Sequence, residues 1–256
     1  MKVVIVGSGN VATVLGRLVQ QKGHEIIQVI SRNAVHAKAL ASLLHCSSAG
    51  YDGVVNRDAD LYLIAIKDNA LHELNTFFNL GNKLVVHTAG SVSREVLSNI
   101  SHNYGVLYPL QSLRSDMDTP AEIPLLIDGN SNEALVLIED FARSISGQVS
   151  RAGDEERLKL HVAAVIVCNF TNHLYALAEE FCGKEEVDFK MLLPLLQETA
   201  NRVASYSPAA IQTGPAIRND TFTLERHLRL LADHPRLRYL YLKFTESIMN
   251  GDKDIK

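Results

Sequence analysis

A glycine-rich segment near the start of the chain has the residue types and spacing of a phosphate-binding turn. It reads Gly-Ser-Gly-Asn-Val-Ala over residues 7–12 and fits the pattern G-x-G-x-x-A, after an apolar β-branched run and before a helical pattern that ends at Gly23. In such a turn Gly7 permits the tight bend, Gly9 lets the main chain approach a pyrophosphate, and Ala12 lets helix and strand pack closely. The helix N-terminus then faces the anion. The alternative is a turn of the same shape that has lost its ligand.

The residues that we expect to bind the dinucleotide come from this turn and from two later strand ends. They are Gly7, Ser8, Gly9, Asn10, Val11, Ala12, Ser31, Arg32, Ile66 and Lys67.

Ser31 and Arg32 follow the second predicted strand, at the distance from the glycines where the adenosine ribose is read. An NAD site places a carboxylate here, which binds the ribose hydroxyls and repels a 2′-phosphate. A hydroxyl and a guanidinium can instead hold that phosphate by charge-assisted hydrogen bonds. The pair favours NADP, with NAD as the runner-up, although Arg32 could also be a solvated charge at a helix start. FAD is disfavoured by the same missing acid, and an S-adenosylmethionine site would carry an acid where Val6 stands.

Buried strands predicted over residues 61–66, 83–86 and 106–108 alternate with helical segments over 33–44, 70–78 and 95–100. This alternation predicts an α/β fold with a doubly wound parallel sheet, whose ligands lie at the carboxyl ends of the strands. Candidate site residues therefore include His87, Ser91 and Gln111. The alternative role of His87 is structural, hydrogen-bonded to a nearby loop. Asp68 and Ser91 are also suited to capping the helices that come after them.

From Gly153 onward the pattern becomes all-helical. We predict a dinucleotide-binding Rossmann domain over residues 1–152 and a helical substrate and dimerisation domain over 153–256, with helices over 158–181, 192–204 and 224–231 and a last helix beginning at Pro235. The long helix carries a polar stripe that includes His161, Asn169 and His173. A single such residue would more simply be a satisfied core polar group.

The loop over residues 213–220 is the other candidate for substrate binding. Arg218 could clamp a carboxylate or be solvated, and Asp220 is placed to cap the next helix. The expected substrate-binding residues are Arg218, Ser91 and Gln111.

Composition limits the partners. The 256 residues carry a net charge of −4, which gives no basic footprint for nucleic acid or an anionic membrane. The three cysteines have no metal-ligand spacing, so no metal site is expected, and they indicate free thiols in a reducing compartment. A core strand begins at once and leaves no room for a signal peptide, and the longest apolar run is too short to span a bilayer. A cytoplasmic protein with a small-molecule substrate is expected.

The motifs together resemble one bacterial family of Rossmann-like proteins, whose helical second half is labelled domain of unknown function 2520 (DUF2520). The segments that carry the resemblance span nearly the whole chain: residues 7–12, 31–32, 65–68, 87–91, 108–111, 168–173 and 213–220. More distantly the chain resembles pyrroline-5-carboxylate reductase, prephenate dehydrogenase and the β-hydroxyacid dehydrogenases with a 6-phosphogluconate-dehydrogenase-like helical domain. The resemblance implies nicotinamide chemistry on a small carboxylate-bearing metabolite in the interdomain cleft. It also implies a homodimer formed through the helical half.

One departure from those relatives concerns catalysis. The β-hydroxyacid dehydrogenases carry a lysine four residues before an asparagine on the long helix, whereas Val165 stands four residues before Asn169 here. An enzyme would therefore need His87, His161 or His173 for proton transfer, since the histidine pKa lies near neutrality. We expect His173 or His87 as the catalytic group, with Asn169 orienting the substrate of an NADP-dependent oxidoreductase. The alternative is a non-catalytic NADP(H)-binding sensor or regulatory protein, which the missing lysine favours.

Overall fold

A computed structural model describes residues 1–118 and 122–251 of the chain. Its strands form one eight-stranded sheet with the order β3-β2-β1-β4-β5-β6-β7-β8. The strands are β1 (Lys2–Val6), β2 (Glu25–Ile30), β3 (Ser47–Ala49), β4 (Leu61–Ile64), β5 (Gly81–His87), β6 (Ser101–Pro109), β7 (Leu125–Gly129) and β8 (Val149–Arg151). The chain builds outward from β1 in one direction and then crosses to its other side at β4, which creates a topological switch point between β1 and β4.

The first six strands are parallel, as predicted, but the sheet is not parallel throughout. Strand β7 runs antiparallel to β6, and β8 runs parallel to β7. A parallel neighbour needs a crossover connection, usually a helix. The described residues between Pro109 and Leu125 contain no helix, so the chain returns along the edge of β6 in the opposite direction.

The apolar runs are continuous because the strands are covered on both faces. In β1 the side chains of Val3, Val4, Ile5 and Val6 are at most 1% exposed. Helices α1 (Asn10–Gln21), α2 (Ala34–Leu43) and α3 (Asn132–Ile145) connect strands of this sheet.

Two predicted α-helices are 3-10 turns instead. The segment after β4 forms a 3-10 helix over Asp68–Thr76, and the segment after β5 forms one over Arg94–Leu97. Apolar spacing of three or four residues places Leu71 and Leu74 in the core in either geometry. The sequence pattern therefore located these turns but could not distinguish i→i+3 from i→i+4 hydrogen bonding.

The second half is helical, as predicted. Its helices are α4 (Asp154–Ala164), α5 (Thr171–Lys184), α6 (Leu193–Ser205), α7 (Thr221–Leu230) and α8 (Pro235–Asn250). Asp220 caps α7 by accepting a hydrogen bond from the Thr223 amide, and Pro235 opens α8; both features were expected.

A π-helical segment, Val165–Phe170, joins α4 to α5. Its i→i+5 hydrogen bonding widens the helix and changes the angle between successive side chains around the helix axis. The predicted single stripe from His161 to His173 is therefore wrong, since it assumed 3.6 residues per turn throughout.

The chain divides into two compact units, Met1–Cys168 and Asn169–Lys256. The change from a mixed strand-and-helix pattern to helices alone comes earlier in the chain, between the end of β8 at Arg151 and the start of α4 at Asp154. The functional boundary at 152/153 stays a prediction, and residues 252–256 of the predicted helical domain lie outside the described residues.

One described helix, from Asp154 to Lys184, is long and apolar enough to cross a bilayer by length and composition alone. Only 6% of its most apolar 18-residue window is buried within the chain. These two properties are weak grounds for a membrane span, because exposed apolar surface of this kind also marks protein interfaces.

Candidate cofactor and catalytic site

Gly7 lies where the end of β1 approaches the end of β4. Its φ is +129°, and a Cβ built on it would stand 2.0 Å from the carbonyl oxygen of Ala65 and 3.3 Å from Cγ2 of Ile66. Its amide donates a 2.7 Å hydrogen bond to the carbonyl of Ile30 at the end of β2. Only glycine fits this position, and Ile66 is brought directly to the turn, while its role in cofactor binding stays a prediction.

The N-terminus of α1 is open toward this turn. Gly9 is the N-cap residue, no side chain caps the helix, and the first turn carries no acidic residue. A Cβ on Gly9 would meet nothing within 4 Å. The first amides of a helix need acceptors and carry partial positive charge, so a pyrophosphate fits this cradle.

The predicted ribose-phosphate residues lie together at the ends of β1 and β2. The hydroxyl oxygens of Ser8 and Ser31 are 2.9 Å apart, and Arg32 is exposed beside them. Asn33 accepts hydrogen bonds from the Val35 and His36 amides and so fixes the start of α2 directly after Arg32. Two hydroxyls and a guanidinium at this strand end fit a 2′-phosphate.

Tyr51 also faces this corner, and no sequence pattern indicated it because it stands in a loop. Its ring lies 5.0 Å from the ring of Phe77 and 5.5 Å from that of Phe78. Burial raises the pKa of its phenol, while the positive charge of Arg32 acts in the opposite direction. Tyr51 therefore provides an aromatic surface near the guanidinium that would bind the phosphate.

The side chain of Asn10 faces a loop of the same unit. Its Oδ1 accepts hydrogen bonds from the hydroxyl of Ser115 at 2.7 Å and from the Ser115 amide at 3.3 Å. Arg17 donates to the Ser115 carbonyl. The loop after β6 is therefore tied to α1 beside the anion cradle through Oδ1 of Asn10.

A hydrogen bond between two side chains joins the segments that follow β4 and β5. The Ser91 hydroxyl donates to Oδ2 of Asp68 at 2.6 Å. The expected capping roles of both residues are wrong: Lys67 occupies the N-cap position before Asp68, and Ser93 caps the next turn by accepting from the Glu95 amide. Ser91 and Asp68 lie instead at the carboxyl edge of the sheet, where a substrate or the nicotinamide half would lie.

His87, at the end of β5, is fully buried. Its Nδ1 accepts a hydrogen bond from the Ala89 amide at 3.1 Å. Burial, reinforced by the charge of Arg157, lowers its pKa to about 4. A catalytic role for His87 stays a prediction, and its surroundings favour a neutral imidazole that supports the loop.

Arg157 on α4, a neighbour of His87, was not predicted as a site residue. It is 1% exposed; its Nη2 donates to Asp154 at 2.8 Å and to the Val92 carbonyl. A charged residue among polar helix positions carries no sequence signal of burial.

Tyr108 ends β6, and its Oη lies 2.8 Å from Nδ1 of His161 on α4. The sequence indicated Tyr108 as the end of a predicted strand and His161 as part of the polar stripe, but only the fold brings the two side chains together. Gln111, which comes after β6, is exposed.

The remaining predicted residues lie in the second unit. Asn169 and His173 are exposed, and His173 lines an open pocket of about 420 Å³ together with Arg236 and Tyr239. Arg218 is exposed in the loop before α7. Their catalytic and substrate-binding roles stay predictions. No cluster of metal-binding side chains occurs among residues 1–118 and 122–251.

The first and second halves of the chain match two family profiles. Residues 2–90 match the NADP oxidoreductase, coenzyme F420-dependent profile, and residues 123–248 match the domain of unknown function DUF2520. Over 97% of this chain and 98% of the other, the protein is 39% identical to BF3122 of Bacteroides fragilis, to which an NADP oxidoreductase activity is ascribed, with a TM-score of 0.90. The chain belongs to this DUF2520 family of NADP oxidoreductases. A search of curated proteins finds no match.

Two solved structures at lower identity show the same fold as this oxidoreductase. A reductive aminase from Aspergillus terreus in complex with NADPH and ethyl-5-oxohexanoate is 16% identical over 99% of this chain and 94% of the other, with a TM-score of 0.71. A 1-pyrroline-5-carboxylate reductase from Streptococcus pyogenes is 17% identical over 98% of both chains, with a TM-score of 0.64. The predicted fold class and the NADP cofactor are confirmed.

The Arg32→Ala variant should weaken NADPH binding selectively. Loss of a charge-assisted hydrogen bond to the 2′-phosphate costs about 1.5–3 kcal/mol, or about 10- to 150-fold in affinity. NADH has no 2′-phosphate, so its affinity should not change. Titration of both cofactors by calorimetry measures the two affinities. Lys38→Ala is the matched control: it removes another exposed cation, on α2, and should change neither affinity. Equal weakening of NADPH and NADH by Arg32→Ala would contradict the assignment.

Burial of neutral His87 should make the fold acid-sensitive. Between pH 6.5 and about pH 4 the unfolded chain binds a proton at this residue and the folded chain does not, so the free energy of unfolding falls as the pH falls, by up to about 1.4 kcal/mol per unit. Urea unfolding at several pH values should give a shallower slope for His87→Gln than for wild type. The exposed His36→Gln is the control, and an unchanged slope for His87→Gln would refute the buried neutral state.

Proposed function

We propose that this NADP oxidoreductase acts on a small metabolite that bears a carboxylate. The observation that carries the proposal is an exposed guanidinium, that of Arg218, held in an ordered loop without a carboxylate partner among the described ion pairs. A planar guanidinium binds a carboxylate through two parallel hydrogen bonds, so it selects for this group by geometry as well as by charge.

The loop around Arg218 is fixed at both ends. Gly214 and Asn219 adopt positive φ values of +110° and +53°, and the Asp220 amide donates to the Pro215 carbonyl at 3.0 Å. The Asp220 carboxylate accepts from the amide and the hydroxyl of Thr223, so it serves the helix cap. Arg218 is therefore carried on a backbone that is already ordered, where its charge also helps the Thr223 hydrogen bonds to lower the pKa of Asp220.

Within the first unit, we expect the proposed reaction at the carboxyl edge of the sheet. NADPH, when bound, supplies a hydride. Ser91 and Gln111 are our candidates for hydrogen bonds to the substrate, and Asp68 accepts a 2.6 Å hydrogen bond from the Ser91 hydroxyl. The name of the Streptococcus pyogenes relative, 1-pyrroline-5-carboxylate reductase, gives further support, since that protein is named for a carboxylate.

The substrate class can be tested with a panel of 2-oxo acids and cyclic imino acids, each paired with its amide, while NADPH absorbance is followed at 340 nm. We expect turnover of one or more acids and weaker turnover of the matching amides. Arg218→Gln should raise KM for the acid by about 10- to 150-fold, as expected for a lost charged hydrogen bond, with little change in kcat.

The exposed Arg229→Gln on α7 removes a similar charge and should leave KM unchanged. Equal turnover of acids and amides would contradict the carboxylate. Tight NADPH binding without turnover of any compound would favour the alternative function, a sensor or regulatory protein.

We also propose that the protein is a cytoplasmic homodimer formed through its helical half. The helix from Asp154 to Lys184 exposes a row of apolar side chains, with Val162 at 53%, Val167 at 71% and Phe170 at 59%. Exposed apolar side chains favour burial against another protein surface, and a second copy provides an identical one. Cys46, Cys168 and Cys182 are free thiols, which suits a reducing compartment.

Light scattering coupled to gel filtration should show a dimer for wild type. Val167→Asp should give a monomer, because it places a charge within the apolar surface that the second copy covers. Val54→Asp, at a position 87% exposed in a loop of the first unit, should remain dimeric. A wild-type monomer, or co-flotation of the protein with phosphatidylcholine vesicles through this helix, would contradict the proposal.

A further inference from the structure

Tyr108 and His161 form a hydrogen-bonded pair at the carboxyl edge of the sheet. Tyr108 Oη and His161 Nδ1 are 2.8 Å apart, and the two rings meet edge to face with centroids 5.8 Å apart. Both residues are half-buried. The pair therefore has a fixed geometry and remains accessible from the edge where the ligand of a doubly wound sheet lies.

Gly90 allows the pair to lie directly on the main chain after β5. A Cβ on Gly90 would stand 2.7 Å from Nδ1 of His161 and 2.9 Å from Cζ of Tyr108. The absence of a side chain there lets the phenol and the imidazole contact the backbone one residue before Ser91. In a Rossmann sheet the strands β4, β5 and β6 hold the second nucleotide half of the cofactor, which carries the nicotinamide. The pair thus lies beside the region of hydride transfer.

The surroundings keep the phenol protonated at neutral pH. Burial raises the pKa of Tyr108, the Asp68 carboxylate raises it further, and only the charge of Arg157 acts in the opposite direction. A protonated phenol is an acid rather than a base, so the residue is suited to giving a proton to a substrate that accepts a hydride.

The other histidine at this edge of the sheet is poorly suited to that task. His87 is 0% exposed, and its Nδ1 is engaged with the Ala89 amide. Tyr108 and His161 are more exposed, and the phenol of one is in hydrogen-bond contact with the half-exposed imidazole of the other.

We propose that Tyr108 is the catalytic proton donor of the oxidoreductase and that His161 is the positioning residue that reprotonates it. The proposal rests on the proposed function, reduction of a small carbonyl or imine compound by NADPH. The C=O or C=N carbon accepts the hydride, the heteroatom accepts the phenol proton, and NADP⁺ is left. The resulting phenolate takes the Nδ1 proton of His161 as Nε2 of the same ring takes a proton from water, so the phenol and a neutral imidazole are both restored.

The test compares Tyr108→Phe with Tyr104→Phe in the full-length protein. Both changes remove one hydroxyl from β6, and the Tyr104 hydroxyl donates to Glu95 at 2.6 Å, outside the proposed site. With the panel of 2-oxo acids and cyclic imino acids as probes, Tyr108→Phe should lower kcat by about 10²- to 10⁴-fold, the usual contribution of a general acid. KM and the Kd of NADPH should stay within about threefold of wild type, and Tyr104→Phe should retain its kcat.

His161→Gln provides a second variant that keeps a polar side chain against Gly90. It should lower kcat less than Tyr108→Phe and should increase the solvent deuterium isotope effect on kcat, because slower reprotonation of the phenolate would limit turnover; a purely structural role would leave this isotope effect unchanged. Tyr108→Phe with kcat within about threefold of wild type would overturn the proton-donor role alone. A wild-type protein that binds NADPH and reduces none of the probes would overturn the proposed function and this role together.

Discussion

The close approach of two strand ends at Gly7 is the constraint on which the cofactor site depends. The position has a φ of +129° and leaves no room for a Cβ, because the Ala65 carbonyl would be 2.0 Å away. This contact brings the end of β1 against the end of β4 at the switch point of the sheet and sets the direction in which α1 begins. The uncapped amides of α1 then face the crevice as an anion site.

A second set of interactions holds α4 against the same sheet. Arg157 is buried and donates to the Val92 carbonyl and to Asp154, and the Arg94 amide donates to Asp154 as well. Arg94 in turn pairs with Asp128 at the end of β7 at 2.7 Å. A buried guanidinium costs desolvation energy unless it is paired, so these contacts are coupled. They fix the start of α4 to the loop after β5 and thereby place His161 over Gly90.

Two histidines at the carboxyl edge of the sheet differ in their burial. His87 and His161 belong to the same edge of the sheet, yet burial lowers the pKa of His87 to about 4 while His161 keeps a half-exposed ring bonded to a phenol. The sequence offered both as replacements for the lysine missing from the long helix. The difference in burial between the two belongs to the fold, and the sequence does not show it.

The amino-acid sequence alone was enough to predict the dinucleotide turn, the alternation of strands and helices, and Ser31 and Arg32 as the candidates for binding a 2′-phosphate. These features are local: a glycine pattern, an apolar run and a short distance along the chain are enough to specify them. The antiparallel β7, the π-helical segment and the Tyr108–His161 pair emerge only in the folded chain. Each depends on contacts between residues far apart in the sequence, or on a choice between hydrogen-bond patterns that the same apolar spacing allows.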